Sequence, residues 1–216
     1  MENDVKEFLS ELLKQLKSID YIKPEDIPNI DLYMDQVTTF MDEQLAASKR
    51  YESDKILTKT MINNYAKNNL LPSPDKKKYS KEHVLTLLFI YYFKNILSIN
   101  DIRSILNPLT EKYFGNDDGF TMQDVYTEVF SLEAEESQKL LKDLGKKYKI
   151  AGETFENFPD EDQKFLHTFS FICMLSFDVY IKKMLIERMI DNLEEKEASS
   201  HENTHSGKES KKTGSN

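Results

Sequence analysis

Tryptophan is absent from the 216 residues, cysteine occurs once, and glycine and proline occur six times each. So few turn-formers argue against a β-sandwich, whose many short strands each need a turn signal. The lone Cys173 cannot close an internal disulfide. Its place in an apolar run predicts a buried, inert thiol and suits a reducing, cytoplasmic setting. Long hydrophobic runs are missing too. The longest, around Leu166 to Phe177, is about half of what a membrane-spanning helix needs, and Asp178, Lys182 and Lys183 follow it directly. The N-terminal "MENDVKEFLSELLKQLKSI" opens on acidic residues and does not fit a signal peptide. No glycine-rich phosphate loop is present, and no nucleophile, base and orienting group can be assembled, so no enzyme, catalytic residue or cofactor is expected.

What is present is a globular composition, 39% hydrophobic and 31% charged, long enough for one sizeable domain or two small ones. The formal net charge is −9, but it is unevenly spread. Between Lys49 and Arg103 eleven Lys/Arg stand against five Asp/Glu, a local +6 that leaves −15 for the rest of the chain. Local charge governs what a surface attracts within a Debye length of about 8–10 Å. A basic segment inside an acidic chain is therefore compatible with a module that faces nucleic acid.

Apolar spacing predicts an amphipathic helix over 3–18, broken by Pro24 and Pro28, and a second from Asp31 to about Leu45. Thr58 is a candidate N-cap for "KTMINNYAKNN". In "LLPSPDKKKY" Pro72 and Pro74 stop that helix. Ser80 caps a strongly apolar helix, while Ser98 with Asp101, and Thr121 with Asp124, read as further helix starts. Helices are expected over 122–130, 133–148 and Pro159 to about Leu193, followed by a disordered polar tail.

The stretch "NNLLPSPDKKKYSKEHVLTLLFI" resembles the MerR-type winged-helix signature: a helix ending in Leu-Leu-Pro, a basic wing, then Tyr-Ser-x-Glu and a helix closing in Leu-x-Phe-Ile. "LSINDIRSIL" resembles that family's next helix. Residues from about Asp31 to Leu106 resemble, more closely still, a bacterial family known as domain of unknown function 1836. Asn63 and Asn64 stand where the MerR pattern carries Arg-Tyr, and Lys76, Lys77 and Lys78 replace a Gly-Arg wing.

The resemblance implies a mainly α fold: an N-terminal helix and linker (1–30), a MerR-like winged helix-turn-helix with a short β wing (31–106), a C-terminal helical region (107–193) and a tail (194–216). It implies a cytoplasmic DNA-binding transcriptional regulator; repression is preferred to activation only as the general expectation for a small regulator. The partners it implies are double-stranded DNA and, through the C-terminal helices, a second copy in a homodimer; no membrane partner is expected and the effector is left open. Lys59, Thr60, Asn63 and Asn64 would enter the major groove, where Asn bridges adenine through two hydrogen bonds. Tyr65 divides between packing and a phosphate contact. Lys76, Lys77 and Lys78 would meet phosphates without reading bases. The alternative is a helical protein-interaction adaptor that keeps the winged fold without binding DNA.

Three motifs are set aside. "HENTH" matches H-E-x-x-H but sits in a polar tail without an apolar face or a third ligand. "FGNDDGF" places Phe114 and Val125 where a calcium loop needs oxygen ligands. His83, in a first helical turn, suits a polar or capping role, and His167, in an apolar run, suits a satisfied core histidine rather than a ligand. The last helix, apolar nearly all round, reads as a central core helix or as a dimer interface.

Overall fold

The computed structural model describes residues 22–116 and 119–209. The stretch expected as a helix at 3–18, residues 117–118 of the "FGNDDGF" turn, the last residues of the tail and the side chains of 201–205 lie outside the described residues. The fold is mainly helical with one small antiparallel sheet. Strand β1 (Leu32–Tyr33) leads into α1 (Met34–Gln44), then α2 (Lys59–Lys67), β2 (Lys78–Tyr79), α3 (Lys81–Phe93), α4 (Ile99–Tyr113), α5 (Met122–Gly152) and α6 (Asp160–Glu209). Short 3-10 turns lie at Pro24–Asp26 and Ala46–Ser48.

Local chemistry accounts for most helix starts. The Thr58 hydroxyl accepts from the Met61 amide at 3.2 Å. Ser98 accepts from the Asp101 amide while Asp101 accepts back from the Ser98 amide at 2.9 Å. Thr121 and Asp124 repeat that reciprocal arrangement. Each such cap contributes about 1 kcal/mol to its helix. The helix expected from Asp31 starts at Met34 instead, because Leu32 and Tyr33 pair with Tyr79 and Lys78 of β2. The Tyr33 amide then donates to Gln36 Oε1 at 2.8 Å.

Helix α3 is buried without interruption from His83 to Tyr91. Apolar on every side, it becomes the axis of the core. It packs against α4, α5 and β2. Phe89 meets Tyr126 edge-on at 5.5 Å and lies 5.6 Å from Phe130. The buried Tyr126 hydroxyl donates to the Ile22 carbonyl at 2.8 Å, fixing the start of the described chain against α5.

Two helix expectations need correction. The separate helices at 122–130 and 133–148 are one, α5, since the joining "SLEAEES" contains no glycine or proline to interrupt it. The last helix runs beyond Leu193, through the stretch expected to be a disordered tail, as far as Glu209, carried by the helix-forming "EEKEA".

Helices α5 and α6 form a long antiparallel hairpin. Lys147 on α5 pairs with Asp143 and with Asp178 of α6, and Tyr148 meets Phe171 at 5.2 Å. His167 is satisfied as expected, its Nε2 donating to the Thr154 carbonyl at 2.8 Å, but it is half-buried rather than a core residue. The core-helix reading of α6 does not hold. Among its described side chains only Phe171 and Ile190 are buried, and Cys173 is exposed rather than inert in a core. The two helices that pack against it, α4 and α5, leave much of a surface that is apolar nearly all round uncovered.

Candidate nucleic-acid interface

The interface expected from sequence divides between α2 and the turn before β2. Thr58 fixes the start of α2, and Ile62 and Tyr65 anchor it in the core. Helical geometry then leaves Lys59, Thr60, Asn63 and Asn64 exposed on the opposite side. Tyr65 is 7% exposed and serves packing, the first of its two expected roles; burial raises its pKa.

The C-terminus of α2 is closed twice. Asn69 adopts a left-handed φ of 56°, and the Leu70 amide returns to the Tyr65 carbonyl at 2.8 Å. Asparagine tolerates this conformation well, and the bond satisfies a carbonyl that the helix leaves open. Arg103 on α4 then donates from Nε to the Asn68 carbonyl at 3.0 Å. That side chain, counted in the basic segment, is thereby occupied in holding α2 to α4.

The lysine triplet forms a hairpin tip. Asp75 bridges Lys78, whose amide donates to the Asp75 carbonyl at 2.8 Å. Lys76 (φ 46°) and Lys77 (φ 66°) are the two central residues. Positive φ at both is the signature of a type I′ turn, which ordinarily takes Asn-Gly. A side chain with a Cβ costs about 1–2 kcal/mol in each such position. All three lysines are exposed. Lys76 and Lys77 have no hydrogen-bond or ion-pair partner among the described residues, and Lys78 lies over the Tyr33 ring at 5.6 Å.

These two elements converge on one short segment. Lys59, the first residue of α2, pairs with Asp35. Tyr33, two residues earlier, pairs with Lys78 across the sheet. The beginning of α2 and the lysine turn therefore both abut residues 33–35.

Other basic residues of the segment are committed inward. Lys49 pairs with Asp42 at 2.8 Å, holding the Asp42 carboxyl below its usual range. Lys94 donates to the Ile56 carbonyl at 2.7 Å and lies 5.1 Å from the Tyr91 ring centre; burial lowers its pKa. These ties fix the loop ahead of α2, so Lys49 and Lys94 act within the fold and not only through net charge.

His83 secures the base of the turn. Its Nδ1 accepts from the Ser80 amide at 3.0 Å and lies 2.8 Å from the Ser80 hydroxyl. That fixes the proton on Nε2, which is buried without a hydrogen-bond partner among the described residues. Tyr79 and Phe114 enclose the ring edge-on at 5.5 and 4.7 Å. Burial lowers the His83 pKa, opposed in part by the nearby backbone of Ser73, the charge of Asp31 and the backbone of Pro72.

Among the described residues there is no group of His, Cys, Asp or Glu that could hold a metal ion, and no helix long and apolar enough to cross a membrane. Neither a curated protein nor a solved structure matches the chain. A family model does match, over residues 22–129, a span that holds β1 through α4 and the start of α5. The chain belongs to the family described as domain of unknown function (DUF1836).

Proposed function

We propose that this chain is a DNA-binding transcriptional regulator, a repressor in preference to an activator, built on a MerR-like winged helix-turn-helix. The observation that carries the reading is the convergence on residues 33–35. A helix with an exposed polar face (Lys59, which pairs with Asp35, and Thr60, Asn63 and Asn64) and a two-residue hairpin tip of lysines without a partner among the described residues meet at one place. The helix is narrow enough for a major groove, and its asparagines can donate and accept toward adenine. The lysine tip supplies positive charge and freely rotating donors without a fixed geometry, which suits the acceptor oxygens of a phosphate backbone. Left-handed lysines in place of Asn-Gly add a second support, since strain of that kind is retained where the side chains have a use.

A protein-interaction adaptor is the second reading. It is favoured by the ion pair that occupies Lys59 and by the apolar surface of α6. Comparing two variants separates the readings. In a regulator Lys77→Ala weakens binding to every duplex and lowers the salt dependence, whereas Asn63→Ala reduces discrimination between sequences. In an adaptor neither substitution changes an interaction with duplex DNA.

A further inference from the structure

The surface of α6 turned away from α5 is apolar over a long distance. Phe165, Phe169, Ile172, Phe177, Val179 and Tyr180 are each half or more exposed. Four of the six are aromatic, and aromatic side chains present about 150–250 Å² each, so these four alone leave on the order of 500 Å² uncovered. The adjoining Met184, Leu185 and Met189 are also about half exposed. The total approaches the roughly 800 Å² per partner of a stable interface and exceeds the apolar patches usual on monomers.

The charges at the two ends of this stripe are opposite. Asp160, Glu161 and Asp162 form the first turn of α6, and Lys182 and Lys183 follow Tyr180. Lys183 also pairs with Glu187 on its own helix. The stripe from Phe165 to Tyr180 has its midpoint between Ile172 and Cys173. Turned end for end about that midpoint, the helix is complementary to itself: apolar residues meet apolar residues, and each acidic first turn meets lysines. A parallel arrangement would set the acidic turns against each other.

We propose that α6 pairs with α6 of a second copy of this chain, antiparallel about a two-fold axis beside Ile172 and Cys173. The contact is isologous, so it closes at two copies. It stands independently of any binding to DNA, although a regulator would gain paired half-site contacts from it.

The test uses the full-length chain in sedimentation velocity over micromolar concentrations, with a flexible bismaleimide added to link Cys173, its single cysteine. A dimer that links through Cys173 is expected. Phe169→Asp, a substitution on the exposed face, should weaken dimerisation about tenfold or more with the helical circular dichroism unchanged. Lys182→Glu should weaken it at low salt, with recovery as salt screens the repulsion. In a Cys173→Ser background, Leu193→Cys should not link, because antiparallel helices hold their ends apart. A monomer throughout the range overturns the proposal, as does a dimer indifferent to Phe169→Asp. Linking through Leu193→Cys overturns the antiparallel arrangement.

Discussion

Asp75 and Lys78 face each other across a two-residue turn, joined by the bond from the Lys78 amide to the Asp75 carbonyl, with Lys76 and Lys77 held left-handed between them. Lysine has no conformational advantage there. Replacing the pair by the residues the turn prefers, Lys76→Asn with Lys77→Gly, should raise folding stability by about 1 kcal/mol. The same change should weaken DNA binding and make the slope of log affinity against log salt shallower by about one to two. Urea unfolding and binding titrations at several salt concentrations check both halves.

Arg103 is spent within the fold. Arg103→Ala removes the Nε donor from the Asn68 carbonyl and should cost about 1 kcal/mol of stability. It should leave the salt slope of DNA binding unchanged, unlike the lysine-turn variants. Thermal unfolding and salt titration of the variant are the measurements.

His83 couples the base of the turn to pH. Protonation puts a proton on Nδ1, which would then confront the Ser80 amide that it now accepts. Burial depresses the folded-state pKa below the ordinary value of 6.5. A histidine so depressed contributes stability that is fully present above its unfolded pKa and is lost as pH falls through the folded value. Stability should therefore decline below about pH 6.5. His83→Gln keeps an acceptor at this capping position without titrating and should flatten that decline. Unfolding midpoints of both proteins from pH 8 to pH 5 decide it; parallel curves would assign the decline to other groups.

The legible parts of this fold were those set by neighbours in sequence. Thr58, Ser98 with Asp101, and Thr121 with Asp124 cap their helices within three residues, so the pattern alone located them. Strand β1 is two residues long and too short to show alternation; its pairing with β2 comes from residues more than forty positions away. The positive φ values of Lys76 and Lys77 carried no glycine or asparagine to announce them. Arg103 and Lys94 looked like surface charge because their acceptors are backbone carbonyls distant in sequence. An all-round apolar helix signals burial only if enough neighbours exist, and the packing of α4 and α5 against α6 leaves Phe165, Phe169, Ile172, Phe177, Val179 and Tyr180 half or more exposed. At the candidate interface, sequence named the exposed residues of α2 and the lysines, whereas their meeting at residues 33–35 required the sheet.

The most direct test of DNA binding is a titration of the full-length protein against duplex from upstream of its own gene. Random duplex serves as competitor, salt is varied, and a Lys76→Ala, Lys77→Ala, Lys78→Ala triple variant runs beside the parent, with a genome-wide selection of bound fragments in parallel. Selective, salt-sensitive binding to a duplex from one of these sources is expected, lost in the triple variant while its unfolding curve stays that of a folded protein. Absence of selective binding to either source, or equal binding by the triple variant, would contradict the proposed function.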